Sequence, residues 1–425
     1  MLDIKFIREN TEIVKMAVKH KNESANIDEI LILDRKKREL QFKFDNLRAE
    51  QKRVSLEIPE LKKENKDFTK LLSQMSTISK KIKEISAELS SISNDLKTKL
   101  LSVPNIPHAS VPIGKDESAN TFVREWGEKK EFDFVPKDHF ELVQQNSLLD
   151  FKRAAKLSGH GFAIYTDKGA LLERALINFM LDFHIKKHGY KEISAPFIVS
   201  RKTMTGTGQL PKLEEDMYHI DQDDLFLIPT SEVSVTNIFA DEIVHHKILP
   251  QKFVSYSPCF RREAGSYGKD TKGLQRLHQF NKVEMVRFVK PQNSYIDLEE
   301  MLVDAEEILQ ELGLHYRIMT ISSGDLSFAS TKTYDIEVWA PGAKKYLEVS
   351  SVSTFEDFQA RRASIRFRDE NGKVKFVHTL NGSGLATPRT YIALIENYQN
   401  MDGSFSLPVC LKPYIQDIWQ EVLFV

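Results

Sequence analysis

Residues 260–284 read FRREAGSYGKDTKGLQRLHQFNKVE, a stretch that places arginines and glutamates on both sides of a glycine-containing segment. Arg261, Arg262 and Glu263 follow a short apolar run, and an alternating pattern returns from Phe280 onward. The pattern predicts a strand, a loop and an antiparallel strand. Arginine forks suit phosphate oxygens, and an aromatic ring can stack on a base. The stretch therefore indicates a nucleotide site, although an exposed charged hairpin could have the same composition.

The composition is that of a globular protein with two or three domains, because 425 residues carry 60 Lys and Arg against 61 Asp and Glu. A nucleic-acid partner would have to meet local basic surfaces. The start lacks a leader pattern, and no run of about 18 apolar residues occurs, so we expect a cytoplasmic protein without a membrane segment. Cys259 and Cys410 are the only cysteines, so no zinc is expected.

Two apolar seams in the first hundred residues predict paired helices. The downstream seam alternates steps of four and three and comprises Leu71, Met75, Ile78, Ile82, Ile85, Leu89, Ile92 and Leu96. The upstream seam has a strict heptad spacing and comprises Leu33, Leu40, Leu47 and Val54. Such seams are typical of coiled coils, and Pro59 interrupts the pattern within residues 56–67, so we expect an antiparallel hairpin with its tip there. Residues 33–100 carry 17 Lys or Arg and 11 Asp or Glu, which fits a solvated surface or an RNA-facing one.

The proline-containing segment VPNIPHASVPIG, residues 103–114, cannot continue a helix. We therefore predict an N-terminal coiled-coil domain at residues 1–102, a linker at residues 103–118 and a catalytic domain at residues 119–425. In the last of these, strand-like and helix-like segments alternate with long loops.

The sequence contains neither a P-loop nor a dinucleotide-binding glycine fingerprint, so side chains would have to hold any nucleotide. His184 and His188 are spaced as i and i+4 on an apparent helix and could in principle bind a metal. No acidic residue completes the H-E-x-x-H pattern, so we do not favour a metal site at this pair.

Three further clusters of polar residues follow apolar runs. They are Thr230, Ser231 and Glu232 after LFLIP; Glu348, Val349, Ser350 and Ser351 in YLEVSSV; and NGSGLATPR at residues 381–389. Glu348 could hold a divalent cation on phosphate oxygens, and Arg389 could contact a base or a phosphate. Taken singly, each carboxylate could equally be an ordinary acid at the end of a strand.

Together these segments resemble the signature motifs of class II aminoacyl-tRNA synthetases, and the match is closest to seryl-tRNA synthetases of the bacterial type. GALLERALINFMLDFHIKKHGYKEISAP, residues 169–196, is similar to the first motif, residues 260–284 to the second and residues 381–399 to the third. The resemblance implies an α+β protein. It would combine an N-terminal antiparallel coiled-coil arm with a class II catalytic domain, an antiparallel β-sheet flanked by helices.

The same resemblance implies an enzyme that ligates serine to tRNA. ATP and L-serine would form seryl-adenylate and diphosphate, with Mg²⁺ as the cofactor, and serine would then pass to the 3' terminal ribose of tRNA(Ser). The arm within residues 1–102 would bind the tRNA, and residues 169–196 would form the interface of a homodimer. Whether tRNA(Sec) is also charged stays open.

The resemblance further assigns roles to single residues, with Arg261 and Arg389 as the catalytic pair. The ATP site would comprise Arg261, Arg262, Glu263, Arg276, Leu277, Phe280, Glu348, Val349, Ser350, Ser351 and Arg389. The serine site would comprise Thr230, Ser231, Glu232, Arg261, Glu284 and Ser383. Glu348 and Ser351 would hold Mg²⁺. We expect residues 264–273 to be mobile until ATP or the tRNA acceptor end orders them.

Two other functions are compatible with parts of this pattern. One is a non-catalytic RNA-binding paralogue on the same scaffold, and the other is an enzyme that loads an amino acid onto a carrier protein. The intact set of arginines and carboxylates argues against the first, and the long heptad arm argues against the second.

Overall fold

The computed structural model describes residues 1–263 and 273–425. It divides into two compact units, residues 2–104 and a larger unit of Met1 with residues 105–425. Within these ranges no helix combines the length and apolarity needed to cross a membrane. The segment expected to be ordered by ATP or tRNA, residues 264–273, lies outside the described residues except for Gly273.

The smaller unit is entirely helical in its regular elements. Its helices are α1 (Ile4–Glu9), α2 (Thr11–His20), α3 (Ile27–Lys63) and α4 (Thr69–Leu101). The two long helices pack along the predicted seams, and every seam position of α4 is buried or half-buried. Val54, Ile78 and Ile82 form a buried cluster between them. The Asn26 side chain starts α3 by accepting a hydrogen bond from the backbone N–H of Glu29.

The hairpin tip overlaps the stretch where it is predicted, although Pro59 does not end its helix. Helix α3 continues to Lys63, and the turn occupies residues 64–68, at the end of the predicted residues 56–67. A proline removes one intrahelical hydrogen bond. The packing of the neighbouring Ile58 against the buried cluster around Val54 holds this last part of the helix in place.

Among the residues that the structure describes, the larger unit combines helices with three sheets. Its strands are β1 (Thr121–Trp126), β2 (Lys191–Glu192), β3 (Ile198–Ser200), β4 (His219–Ile220), β5 (Leu225–Leu227), β6 (Ile243–His245), β7 (Gln251–Phe260), β8 (Gln279–Val289), β9 (Tyr316–Thr320), β10 (Lys332–Ala340), β11 (Lys345–Glu356), β12 (Arg366–Arg368), β13 (Val374–Phe376) and β14 (His378–Ala386). Its helices are α5 (His139–Gln145), α6 (Phe151–Ser158), α7 (Lys168–Lys186), α8 (Arg201–Thr207), α9 (Glu232–Thr236), α10 (Ser294–Glu311), α11 (Phe358–Ala363), α12 (Thr387–Asn397) and α13 (Lys412–Ile415).

The main sheet has the strand order β1-β9-β10-β11-β14-β8-β7-β2 in the described residues. All of its pairings are antiparallel except the short one between β2 and β7. Strands β7 and β8 pair along their whole length, as the opening sequence motif predicts. Helices α7, α10 and α12 pack on this sheet and share its apolar core. The predicted α+β fold, a helical arm with an antiparallel sheet domain flanked by helices, is confirmed.

A buried ionic network ties β8 to α10. The Arg287 side chain is fully buried, and its guanidinium donates to Asp297 at 3.1 Å and to Asp304 at 2.5 Å. Its Nε donates to the Tyr190 hydroxyl at 2.8 Å. Several partners are needed because a buried charge is tolerated only where it is paired and hydrogen-bonded.

Most of the segment interpreted as a linker packs into the larger unit. The Asn105 side-chain amide donates to the carbonyls of Ala329 at 2.9 Å and Phe355 at 2.8 Å. Val111 lies in a small apolar cluster with Ile321 and Leu326. From Asn105 onward this segment therefore belongs structurally to the unit that contains the sheet.

Candidate active site

A cavity of about 410 Å³ is lined by residues of β8, β11, β14 and the start of α12, together with the segments that follow β5 and β7. It brings together thirteen predicted residues: Thr230, Glu232, Arg261, Glu263, Arg276, Leu277, Phe280, Glu284, Glu348, Val349, Ser351, Ser383 and Arg389. Ser231 and Ser350 are buried behind the wall. Arg262 is exposed, and its guanidinium donates to the carbonyl of Glu215 at 3.1 Å.

A buried polar network forms one part of the wall. The Lys282 ammonium nitrogen lies 2.6 Å from Glu284 Oε2. The Asn381 amide donates to Glu284 at 2.7 Å and to Glu232 at 3.0 Å. The second oxygen of Glu232 accepts from Gln359 Nε2 at 2.6 Å. One amide thus lies between two carboxylates, each of which has a further partner.

Burial and, to a smaller extent, the neighbouring Glu284 charge raise the pKa of Glu232 from 4.5 to about 7. The hydrogen bond from Gln359 opposes this shift. Near neutral pH the Glu232 carboxyl is therefore poised between its neutral and charged forms. A cationic ligand beside it would favour the carboxylate.

A second part of the wall joins cations, a carboxylate and an aromatic ring. The Arg261 guanidinium lies 5.2 Å from the centroid of the Phe280 ring, and its Nε donates to the Pro229 carbonyl at 3.4 Å. Arg276 Nη1 donates to Glu263 Oε2 at 2.5 Å. This side of the cavity offers guanidinium groups for phosphate and a flat face for a base.

The third part of the wall centres on β11. Arg389 Nη1 donates to the backbone carbonyl of Glu348 at 2.8 Å and lies 3.3 Å from its carboxylate. The Ser351 hydroxyl donates to Asp335 at 2.5 Å and lies 3.3 Å from Glu348 Oε1. Burial, together with the Glu348 charge, raises the pKa of Asp335 well above its ordinary value. Among the described residues no set of three or more His, Cys, Asp and Glu side chains is arranged to hold a metal ion.

Sequence reasoning missed Lys282, Asn381 and Gln359. The first had a usable signal, since Lys282 and Glu284 are two apart in a strand and their side chains must share one face. Asn381 stood within a predicted motif and was not singled out among the glycines beside it. Gln359 comes from α11, and nothing in the local sequence links it to a carboxylate on α9.

The fold and this cavity define a class II aminoacyl-tRNA synthetase core. Residues 214–398 match the family model described as tRNA synthetase class II core domain (G, H, P, S and T). Residues 1–107 match the model described as Seryl-tRNA synthetase N-terminal domain.

Comparison with similar proteins shows which family of this class the chain belongs to. The serine–tRNA ligase of Caldicellulosiruptor saccharolyticus is 56% identical over 415 residues, which cover 98% of this chain and 99% of the relative. The crystal structure of seryl-tRNA synthetase from Pyrococcus horikoshii complexed with ATP has 39% identity and a TM-score of 0.92, covering 97% of this chain and 98% of that one. The cytoplasmic serine–tRNA ligase of Naegleria fowleri in complex with AMP has 29% identity and a TM-score of 0.85, covering 97% of each chain. The chain belongs to the seryl-tRNA synthetase family.

Membership confirms the resemblance seen in the motifs, and it identifies the protein as an enzyme. The alternative of a non-catalytic RNA-binding paralogue is not supported, because the curated relatives that match nearly the whole chain are ligases.

Proposed function

We propose that this chain attaches L-serine to tRNA in two steps within the cavity. In the first, a serine carboxylate oxygen attacks the α-phosphorus of ATP, the bond to the β-phosphate breaks and diphosphate leaves. In the second, the terminal ribose hydroxyl of tRNA attacks the carbonyl carbon of seryl-adenylate, and AMP leaves. The supporting observation is that the guanidinium and aromatic wall and the buried carboxylate network face one cavity.

Arg261 would contact both substrates in the first step. The serine carboxylate and the α-phosphate are anions that repel each other, so a guanidinium between them supplies orientation and charge compensation together. No general base is needed, because the attacking carboxylate is already ionised. The contact of Arg261 with the Phe280 ring places this guanidinium beside the proposed adenine face.

ATP binding would exchange two existing ion pairs for contacts with the nucleotide. In our proposal Phe280 and Arg389 lie on the two faces of adenine, and Glu263 accepts from the adenine amine. Arg276 would contact the outer phosphates. Arg276 is now paired with Glu263, and Arg389 with Glu348, so these cations are already held within the cavity before ATP enters.

Glu348 and Ser351 would hold Mg²⁺ on the phosphates. Their side-chain oxygens lie 3.3 Å apart and are hard ligands of the kind that Mg²⁺ prefers. Mg²⁺ commonly takes one or two protein oxygens and completes its shell with phosphate and water, so two residues suffice. When bound, it neutralises charge on the leaving diphosphate. Asp335 orients the Ser351 hydroxyl from behind.

The buried network would select serine. Thr230 and Glu232 would lie at the ammonium, while Glu284 and Ser383 would contact the side-chain hydroxyl. Lys282 holds Glu284 in place as an acceptor, so with alanine the hydrogen bond that a serine hydroxyl would donate to this buried carboxylate stays unmade. Such an unsatisfied group costs about 1 to 3 kcal/mol. Threonine would be refused by the size of the pocket.

The remaining parts of the proposal concern tRNA and assembly. Residues 1–102 would bind tRNA(Ser) through exposed basic side chains of the arm, such as Lys80, Lys81 and Lys83. Residues 119–425 would carry catalysis, and residues 169–196 would form a homodimer interface. A cytoplasmic location and the charging of tRNA(Sec) stay predictions that a localisation experiment and a charging assay can decide.

The decisive experiment is the exchange of labelled diphosphate into ATP with each standard amino acid in the presence of Mg²⁺. We expect exchange with serine, and an Arg261→Ala variant should lose it by a factor of at least about 100. The matched control is Arg153→Ala, an exposed arginine of α6. Exchange with another amino acid but not with serine would refute the proposal.

A further inference from the structure

The two histidines noted in the sequence form a hydrogen-bonded chain outside the cavity. His184 Nδ1 and His188 Nδ1 lie 2.9 Å apart. At one end, His184 Nε2 lies 3.1 Å from the carbonyl oxygen of Gly384. At the other, His188 Nε2 lies 2.8 Å from Glu307 Oε2. The chain thus leads from an acid on α10 to the backbone of β14.

Hydrogen-bond direction fixes the protons of His184. A carbonyl oxygen only accepts, so the Nε2 of His184 carries the hydrogen that reaches Gly384. Burial, aided by the neighbouring His188, lowers the pKa of His184 to about 4. His184 is therefore neutral at neutral pH, and its Nδ1 must accept from His188.

His188 consequently donates from both ring nitrogens. Its Nδ1 donates to His184, and its Nε2 faces the Glu307 carboxylate. The hydrogen bond from His188, together with Lys187 at 3.0 Å, lowers the pKa of Glu307, so this acid is ionised and accepts. Asp304 Oδ1 lies 3.9 Å from His188 Nδ1, which is too far for a competing hydrogen bond. A histidine that donates from both nitrogens is an imidazolium.

The chain ends where the regular ladder of β14 breaks. The last pair with β11 is Val352 with Gly382, and the pairing with β8 shifts register after Ser383. Side chains supply the donors that the ladder lacks. Ser350 Oγ donates to the Ser383 carbonyl at 2.7 Å, and His184 Nε2 donates to the next carbonyl, that of Gly384. A Cβ atom on Gly384 would collide with the His184 ring, so backbone and ring are in close contact.

We propose that His184 is a positioning residue of the serine pocket. Held in its Nε2-protonated tautomer by the His188 imidazolium, it fixes the backbone that presents Ser383 to the cavity. The inference rests on the proposed function, in which Ser383 contacts serine. It gives the i, i+4 histidine pair a role that needs no metal.

The kinetic test uses two substitutions of the same residue. His184→Leu removes the donor to Gly384, whereas a glutamine amide at this position can still donate. In diphosphate exchange we expect His184→Leu to raise the KM for serine about five- to tenfold, which corresponds to the loss of one hydrogen bond, and to leave the KM for ATP within about twofold. His184→Gln should recover most of the difference. The proposal would be overturned if the two variants raised the KM for serine equally, or if each raised the KM for serine and the KM for ATP by the same factor.

A spectroscopic test does not depend on the substrate. In the unsubstituted full-length protein labelled with ¹⁵N-histidine, one ring should be neutral with its hydrogen on Nε2, and another should be protonated on both nitrogens. His184→Gln and His188→Phe assign the two signals, and His245→Phe, an exposed ring, is the control. A neutral His188 would overturn the proposal even if serine exchange is observed. Absence of serine exchange in the unsubstituted protein would instead refute the proposed function.

Discussion

Lys282 and Glu284 form an ion pair in the cavity wall, with 2.6 Å between the ammonium nitrogen and the carboxylate and almost no exposure of either side chain. Because the two residues are neighbours on one face of β8, the strand itself sets their spacing. The pair keeps the Glu284 charge in place without a ligand, and it makes each partner dependent on the other.

Removal of either Lys282 or Glu284 should therefore destabilise the folded protein. We expect Lys282→Met to lower the free energy of unfolding by about 3 kcal/mol, because a buried carboxylate loses its counter-ion. Urea denaturation measures this change. Lys290→Met is the matched control, since Lys290 lies 3.4 Å from the largely exposed Glu370 and a surface pair contributes less than about 1 kcal/mol. Equal losses in the two variants would contradict our interpretation of the buried pair.

The activity should depend on the ionisation of Glu232. Its pKa is raised to about 7 by burial and by Glu284, so the carboxyl becomes neutral as the pH falls through that value. A neutral carboxyl pairs weakly with the serine ammonium, so kcat/KM for serine should fall below about pH 7. Glu232→Gln should lower the rate and remove this limb of the pH profile. If kcat/KM of the variant still fell below about pH 7, a group other than Glu232 would be responsible for the pH dependence.

Protein stability should respond to a second buried acid, Glu173 on α7. Its Oε1 accepts from Thr387 at 2.5 Å and from Asn281 at 2.9 Å, while burial raises its pKa from 4.5 to about 7. Between these pH values the folded state keeps the proton that the unfolded chain releases, so the contribution of Glu173 to stability decreases as the pH rises.

Glu173→Gln keeps the acceptor oxygen and cannot ionise. At about pH 8 we expect the variant to be more stable than the parent by about 2 to 3 kcal/mol, with little difference near pH 4. Thermal or urea unfolding across this range measures the difference. Glu421→Gln changes an exposed carboxylate and should show no such trend. A variant less stable than its parent at high pH would mean that the Glu173 charge is favourable.

Glu348 should determine the need for Mg²⁺. Glu348→Gln keeps the shape of the side chain but weakens an oxygen ligand, so the Mg²⁺ concentration for half-maximal exchange should rise about tenfold or more. Glu337→Gln on the neighbouring β10 is the matched control, because Glu337 is engaged by Arg317 at 2.5 Å. If both variants needed the same Mg²⁺ concentration as the parent, Glu348 would not be a ligand.

The arm should matter for the second step only. Replacing residues 33–100 with a short linker should spare serine activation within about twofold, while tRNA charging falls by a factor of at least about 100. Exchange and charging assays on the same preparation measure the two effects. A milder variant, with Lys80, Lys81 and Lys83 changed to glutamine, should weaken tRNA binding and reduce its salt dependence. Unchanged charging in both variants would exclude the arm as the tRNA contact.

The sequence predicted the parts of the fold that depend on local periodicity. The seam from Leu71 to Leu96 specifies its helix, because a heptad pattern has one efficient way to bury its apolar face. The hairpin tip falls at the end of the predicted residues 56–67, because Ile58 packs on the buried cluster and α3 continues through Pro59 to Lys63. The motifs located most residues of the cavity wall, since three sequence segments already carried its arginines and carboxylates.

Long-range contacts were beyond such reasoning. Arg287 stands in an apolar strand, and only the fold reveals that Asp304 and Tyr190 surround it. Gln359 and Glu232 are on different helices, so their hydrogen bond exists only after the chain has folded. The His184 and His188 pair was recognised by its spacing, but Glu307 and Gly384, which decide its protonation, could not be read from the sequence.

Strand β14 lies between β11 and β8, although it is the last of the main-sheet strands in the chain. Strands β11 and β8 therefore each have one unpaired edge until residues 378–386 have left the ribosome. A nascent chain that stops earlier contains most of the residues that line the cavity. It lacks the strand that joins β11 to β8 and so holds them in one sheet. We expect the enzyme to become active only late in its own synthesis. Incomplete chains should expose unpaired strand edges, which can aggregate and which chaperones or proteases recognise.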